Sequence, residues 1–183
     1  PVLTGVNERL AQRMERLDAQ KQVLINKVWA TPDSQRVLHP KDASFSPVEL
    51  LMHIALIECK YNDALDETPP EVWAGRKAKP GFFYNMILNK QREGGPNVPT
   101  PKEFMPKWVP GVDEAIAEWD KQRERLKKHL ERAKPGETFV AMKWLGKLSA
   151  DHVLELLDVH QNYHIRNFRV APAVEPLNNE GNP

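Results

Sequence analysis

Apolar residues recur every three or four positions in four long stretches of this chain, a spacing that predicts four amphipathic helices. In the first, Val2 to Ala30, the shared face carries Leu3, Val6, Leu10, Met14, Leu17, Leu24 and Val28, with Arg, Glu, Gln and Lys between them. Thr31-Pro32-Asp33 ends it, because proline disfavours helical backbone in the residue before it. The segment to Phe45 holds Pro40 and scattered polar residues and reads as a connection. Ser46-Pro47-Val48-Glu49 then gives the strongest start signal in the chain. It combines an N-cap serine, proline at the first helical position and glutamate three residues after the cap. Leu50, His53, Ile54, Ile57, Tyr61 and Leu65 form the stripe of this second helix.

Between Glu67 and Gly111 the periodicity lapses, and half of the chain's 16 prolines fall here, with a Gly94-Gly95-Pro96 turn. Phe82 to Leu88 is too apolar for a free linker and predicts a short helix packed on the body. A long connection of this kind serves as a binding wall or as a clasp over one end of the core. Val112 to Ala133 is the third long helix, with Val112, Ala115, Ile116, Trp119, Leu126 and Leu130 inward. Its run from Lys121 to Arg132 reads as a solvated face laced by ion pairs one turn apart. Lys134-Pro135-Gly136 stops it, and a segment with Trp144 and Gly146 leads to the fourth helix. That helix occupies Leu148 to Arg169, with Ser149 as N-cap, Leu148 and Val153 as a hydrophobic staple, and Pro172 beyond its end. Residues 172–183 read as a surface extension of a single domain covering 1–183. No strand set stands out, since Thr138-Phe139-Val140 is too short to carry a sheet. The fold class is therefore all-α, a four-helix bundle.

Composition narrows the partners. Of 183 residues, 40% are hydrophobic and 28% charged, which is ordinary for a soluble domain. A net charge of +1 gives no electrostatic reason to bind nucleic acid or an anionic membrane. No apolar run approaches a membrane span and no signal peptide is visible, although the chain begins at Pro1 and a leader removed earlier stays open. One cysteine, Cys59, fits a reducing compartment, so the expected location is cytoplasmic.

The chemistry lies in the helical stripes. Val153, Leu156, Leu157, His160, His164 and Phe168 share the inward face of the fourth helix, and two of the six are histidines one turn apart. His53 likewise replaces an aliphatic in the second helix. A lone inward histidine is ordinarily a core residue bonded to a carbonyl or carboxylate. Three on facing helices of one bundle are different: buried imidazoles side by side are costly without a common partner, and a divalent metal is the usual one. A three-histidine set leaves coordination positions open, as catalytic zinc does. Gln161 follows His160, so there is no His-Glu-x-x-His, and no carboxylate shares the His160/His164 face. Cys59 points elsewhere on its helix as a packed thiol, while His39, His129 and His152 are assigned to surface or capping positions.

Phe45-Ser46-Pro47-Val48-Glu49-Leu50-Leu51-Met52-His53 resembles the second-helix motif of the DinB/YfiT-like superfamily, aromatic-Ser-x-x-Glu-hydrophobic-x-x-His. Gly146-Lys147-Leu148-Ser149, followed by His160-Gln161-Asn162-Tyr163-His164, resembles the family's fourth-helix entry and His-x-x-x-His. Lys143-Trp144 departs from the His-Pro that many members carry ahead of that glycine; these are not usual ligands. The resemblance implies an up-down-down-up bundle and one divalent ion, zinc or nickel, on His53, His160 and His164. Members with assigned activities are mostly transferases or isomerases that use low-molecular-weight thiols.

Three functions are thereby expected in order. The first is a metal-dependent thiol S-transferase acting on a small molecule, its general acid or base unassigned. The second is a metal hydrolase on the same ligands. The third is a non-catalytic bundle that uses the histidines for packing or a metal for stability, with a homodimer as one possible form.

Overall fold

The computed structural model describes residues 5–41, 43–94 and 100–173. Six helices build it: α1 (Gly5–Ala30), the single turn α2 (Asp33–Arg36), α3 (Pro47–Glu67), α4 (Phe82–Glu93), α5 (Val112–Leu130) and α6 (Ala150–Arg166). The four long stretches of periodicity are α1, α3, α5 and α6, and the apolar segment after Gly81 is α4, longer than expected. The anticipated start at Val2, the Gly95-Pro96 portion of the turn and the Val174 to Pro183 extension lie outside the described residues.

Caps explain why the two histidine-bearing helices begin where they do. At α3 the Ser46 hydroxyl accepts from the Glu49 amide while the Glu49 carboxylate accepts from the Ser46 amide. At α6, Ser149 accepts from the His152 amide and its own amide donates to His152 Nδ1, so His152 is the capping residue the sequence implied.

Ion pairs between helices fix their directions. Along α3 and α5, Glu58 meets Arg123 and Asp66 meets both Arg125 and His129, so the two run parallel. Along α1 and α6, Arg9 and Arg13 meet Asp151, and Arg16 meets Asp158, again parallel. Asp18 meets Arg123 and Lys127 whereas Lys21 meets Asp120, which sets α1 and α5 antiparallel. The order is up, down, down, up. Parallel α3 and α5 require the chain to return the length of the bundle between them, and the Pro-rich connection does this.

Two apolar clusters fill the bundle. One gathers Leu10, Met14, Leu17, Tyr61, Leu65, Leu126 and the first turns of α6; the other gathers Leu24, Val28, Leu51, Ile54, Ala115 and Trp119. Between them lies a buried polar layer. Glu58, fully buried, accepts from Trp119 Nε1 at 2.8 Å and from Arg123 Nη2 at 2.6 Å, and Asn62 donates to the Gln122 carbonyl at 2.8 Å.

The structure corrects several expectations. A three-stranded antiparallel sheet, order β1-β3-β2, joins β1 (Lys79–Pro80), β2 (Val140–Met142) and β3 (Gly146–Leu148). Strands this short carry no period-two signature, and β1 reaches β3 across more than sixty residues of chain. Gly146 makes the crossing: its φ is +80°, and a Cβ there would stand 2.6 Å from the Gly81 nitrogen. Arg123 and His129 sit in the stretch read as solvated or surface, yet both are buried, the Arg123 charge countered by Glu58 and the His129 ring set against Asp66, both on α3. The helix α6 stops at Arg166, so Phe168 reaches the second cluster from beyond its end. No described helix is long and apolar enough to cross a membrane.

Candidate metal centre

The Ser46 cap places His53 two turns into α3, and the Ser149 cap leaves His160 and His164 in the last two turns of α6. Because these helices face one another, the three rings meet. One ligand-capable nitrogen from each lies within 4.8 Å of the others. His53 Nε2 is 3.3 Å from His160 Nε2, and His164 Nε2 is 2.9 Å from the same atom. His53 and His160 are buried and His164 nearly so.

The tautomer of His53 follows from its other nitrogen. Nδ1 lies 2.8 Å from the Phe104 carbonyl oxygen, which can only accept, so Nδ1 carries the proton and Nε2 presents a lone pair to the cluster. Phe45 stacks on the His53 ring at 4.4 Å and 22°, fixing its plane, and meets His164 edge-on at 6.4 Å. Phe104 belongs to the single turn Lys102–Phe104 on the Pro-rich connection. That connection is therefore a wall of the site and sets the tautomer of His53 through its backbone.

Burial keeps all three rings neutral. His53 is lowered to about 4, by desolvation only partly opposed by the bond to Phe104. His164 is lowered to about 3 by burial and the neighbouring His53, and His160 falls well below the usual value through burial and both neighbours. Core packing does not account for this arrangement. A ring kept for packing spends its nitrogens on carbonyls or carboxylates, and here only His53 Nδ1 does so. His160 Nδ1 is buried with no partner in either tautomer, while its Nε2 faces two other imidazole nitrogens. Three uncharged nitrogen donors converging between two helices are a donor set for a divalent cation, and these residues fit one.

A cavity of 370 Å³ opens from the cluster, where the two apolar clusters of the bundle meet. All three histidines line it, with Phe45, Leu50 and Ile57 from the α3 side, Leu156 and Leu157 from α6, and Ile87 from α4. Tyr163 also lines it, edge-on to His164 at 5.3 Å. Cys59 does not: its half-buried thiol lies beside Asp63 and Arg125. His39 pairs with Glu49 at the surface, as its assignment implied. Sequence reasoning missed the Phe104 carbonyl, since no side-chain pattern marks a backbone acceptor brought in from fifty residues away.

The parallel-paired helices and the inward histidine trio define a class: helical bundles with a three-histidine site between the second and fourth long helices. The chain belongs to the DinB superfamily, whose sequence model matches residues 5–167. No curated protein and no solved structure matches it.

Proposed function

We propose that this protein is a metal-dependent enzyme of the thiol S-transferase type, with one zinc or nickel ion held by His53, His160 and His164. The observation that carries the reading is the convergence of three neutral ring nitrogens, one an obligate lone pair, on the floor of an apolar cavity. A divalent ion held there supplies Lewis acidity, lowering the pKa of a thiol or water brought to it. The chain supplies the rest. Phe45 and the Phe104 carbonyl hold His53 in one plane and one tautomer. Apolar residues of α3, α4 and α6 keep bulk water from the ligands and accept an organic substrate. No carboxylate stands among the described lining residues to take a proton from water, which favours a thiol that ionises readily as the nucleophile. A reducing compartment suits both the free Cys59 and a thiol substrate.

The test is elemental analysis of the purified protein beside His160→Ala after loading each with zinc or nickel. About one ion per chain, absent in the variant, is expected. Loaded protein then transfers an electrophilic probe to a small thiol and does not hydrolyse it in thiol-free buffer. No bound metal in either protein would return the three histidines to core packing. Hydrolysis without thiol would favour the hydrolase on the same ligands.

A further inference from the structure

The geometry points to the cavity's organic ligand being an amphipathic anion, an apolar body carrying a carboxylate or phosphate, with its charged end held at the mouth by Lys90 and Arg169. This deepens the reading above by naming the substrate class of the same site.

The lining is one-sided in charge. Lys60, Lys90 and Arg169 line the cavity, and among the described residues no Asp or Glu does. In a protein with 26 basic and 25 acidic residues, that is a local departure from balance. Several cations elsewhere on this surface are matched by a carboxylate: Arg13 with Asp151, Arg92 with Glu155, Arg125 with Asp63 and Asp66. Among the described residues, Lys90 and Arg169 have no such partner, and Lys60 reaches Glu103 only at 3.9 Å.

The fold brings the two unmatched cations to one end. Lys90 is in the last turn of α4, and Arg169 lies three residues past the end of α6. Arg166 ties the two helix ends together, donating to the carbonyls of Gln91 and Arg92 at 2.6 and 3.2 Å. Those carbonyls are the negative pole of α4 and would repel an anion if left bare. With them neutralised, Lys90 and Arg169 set the sign of the mouth. Gln91 stands beside them in the lining, an uncharged neighbour. Below the mouth the walls are mostly apolar down to the histidines, with Leu50, Ile57, Ile87, Leu156 and Leu157 among them. A ligand complementary to such a pocket has an apolar body with its charge confined to one end.

The experiment uses metal-free full-length protein and two fluorescent probes, anilinonaphthalenesulfonate and its uncharged relative phenylnaphthylamine. The anionic probe is expected to bind the wild type more tightly than the neutral one. In the doubly charge-reversed variant (Lys90→Glu with Arg169→Glu) it should weaken by roughly tenfold or more, with the neutral probe unchanged. Octanoate and octyl phosphate, but not octanol, should displace it; which of the two competes better identifies the headgroup. Circular dichroism confirms the variant's fold, and Lys90→Gln with Arg169→Gln serves if it is perturbed. Equal affinity for both probes, equal loss of both, or no binding of either would overturn the assignment. Because the protein is metal-free, a failure to load zinc or nickel would sink the enzyme reading and leave this result standing.

Discussion

His53 shows how much one side chain can be made to specify. Its Nδ1 is held by a backbone carbonyl and its face by Phe45, so its Nε2 has one direction and one protonation state. The same burial has a consequence for stability. Above pH 6.5 the three rings are neutral both folded and unfolded, and their ionisation adds no cost. As pH falls below 6.5 the unfolded chain takes up protons that the folded one refuses until about pH 4 at His53 and about pH 3 at His164, so the metal-free fold loses stability across that window. For His53 alone the loss is on the order of 3 kcal/mol. Denaturant unfolding from pH 7 to pH 4 should show this slope, and it should flatten when His53, His160 and His164 are all changed to Leu. Equal slopes in the two proteins would mean that other groups drive the acid sensitivity. The stripe positions of these histidines were readable from helical periodicity. Their tautomers were not, because tautomers depend on acceptors from distant segments.

At the scale of elements, the capping residues and the glycine of the small sheet do the positioning. The capping box at Ser46 and the cap at Ser149 start α3 and α6 at fixed residues, which brings His53 opposite His160. Both starts were visible as local patterns, since a cap is made within four residues. The sheet was not visible, although the motif residue Gly146 at its centre was. Its positive φ and its contact with the β1 end explain why glycine stands there. Gly146→Ala is expected to cost about 1–3 kcal/mol in backbone strain, with a further loss from the clash against Gly81. A thermal melt reads this directly. A variant as stable as the wild type would show that β1 moves aside freely.

Across the whole molecule, the polar layer between the two apolar clusters sets how the helices register. Glu58 and Arg123 are both buried, and each is the other's chief counter-charge, with Asp18 as a second partner of the guanidinium. Removing one partner of such a pair leaves a buried charge uncompensated. Glu58→Leu is therefore expected to destabilise by about 3–5 kcal/mol. Adding Arg123→Met should restore most of that, as an apolar pair of similar volume often does. If the double variant is no better than the single, the pair is required for helix register rather than merely tolerated.

Four amphipathic helices, their caps, the Pro-rich return and the inward histidines are properties of residues near one another in the chain, and the sequence alone determined them. The sheet, the burial of Arg123 and His129, the Phe104 acceptor and the cationic mouth are contacts between segments fifty to eighty residues apart or at separate helix ends. Periodicity reports which face of a helix is apolar; it is silent on what each polar residue on the other face will meet. Only packing α3 against α5 and α4 against α6 decided which charges are solvated, which are paired in the interior, and which stand unmatched over the cavity.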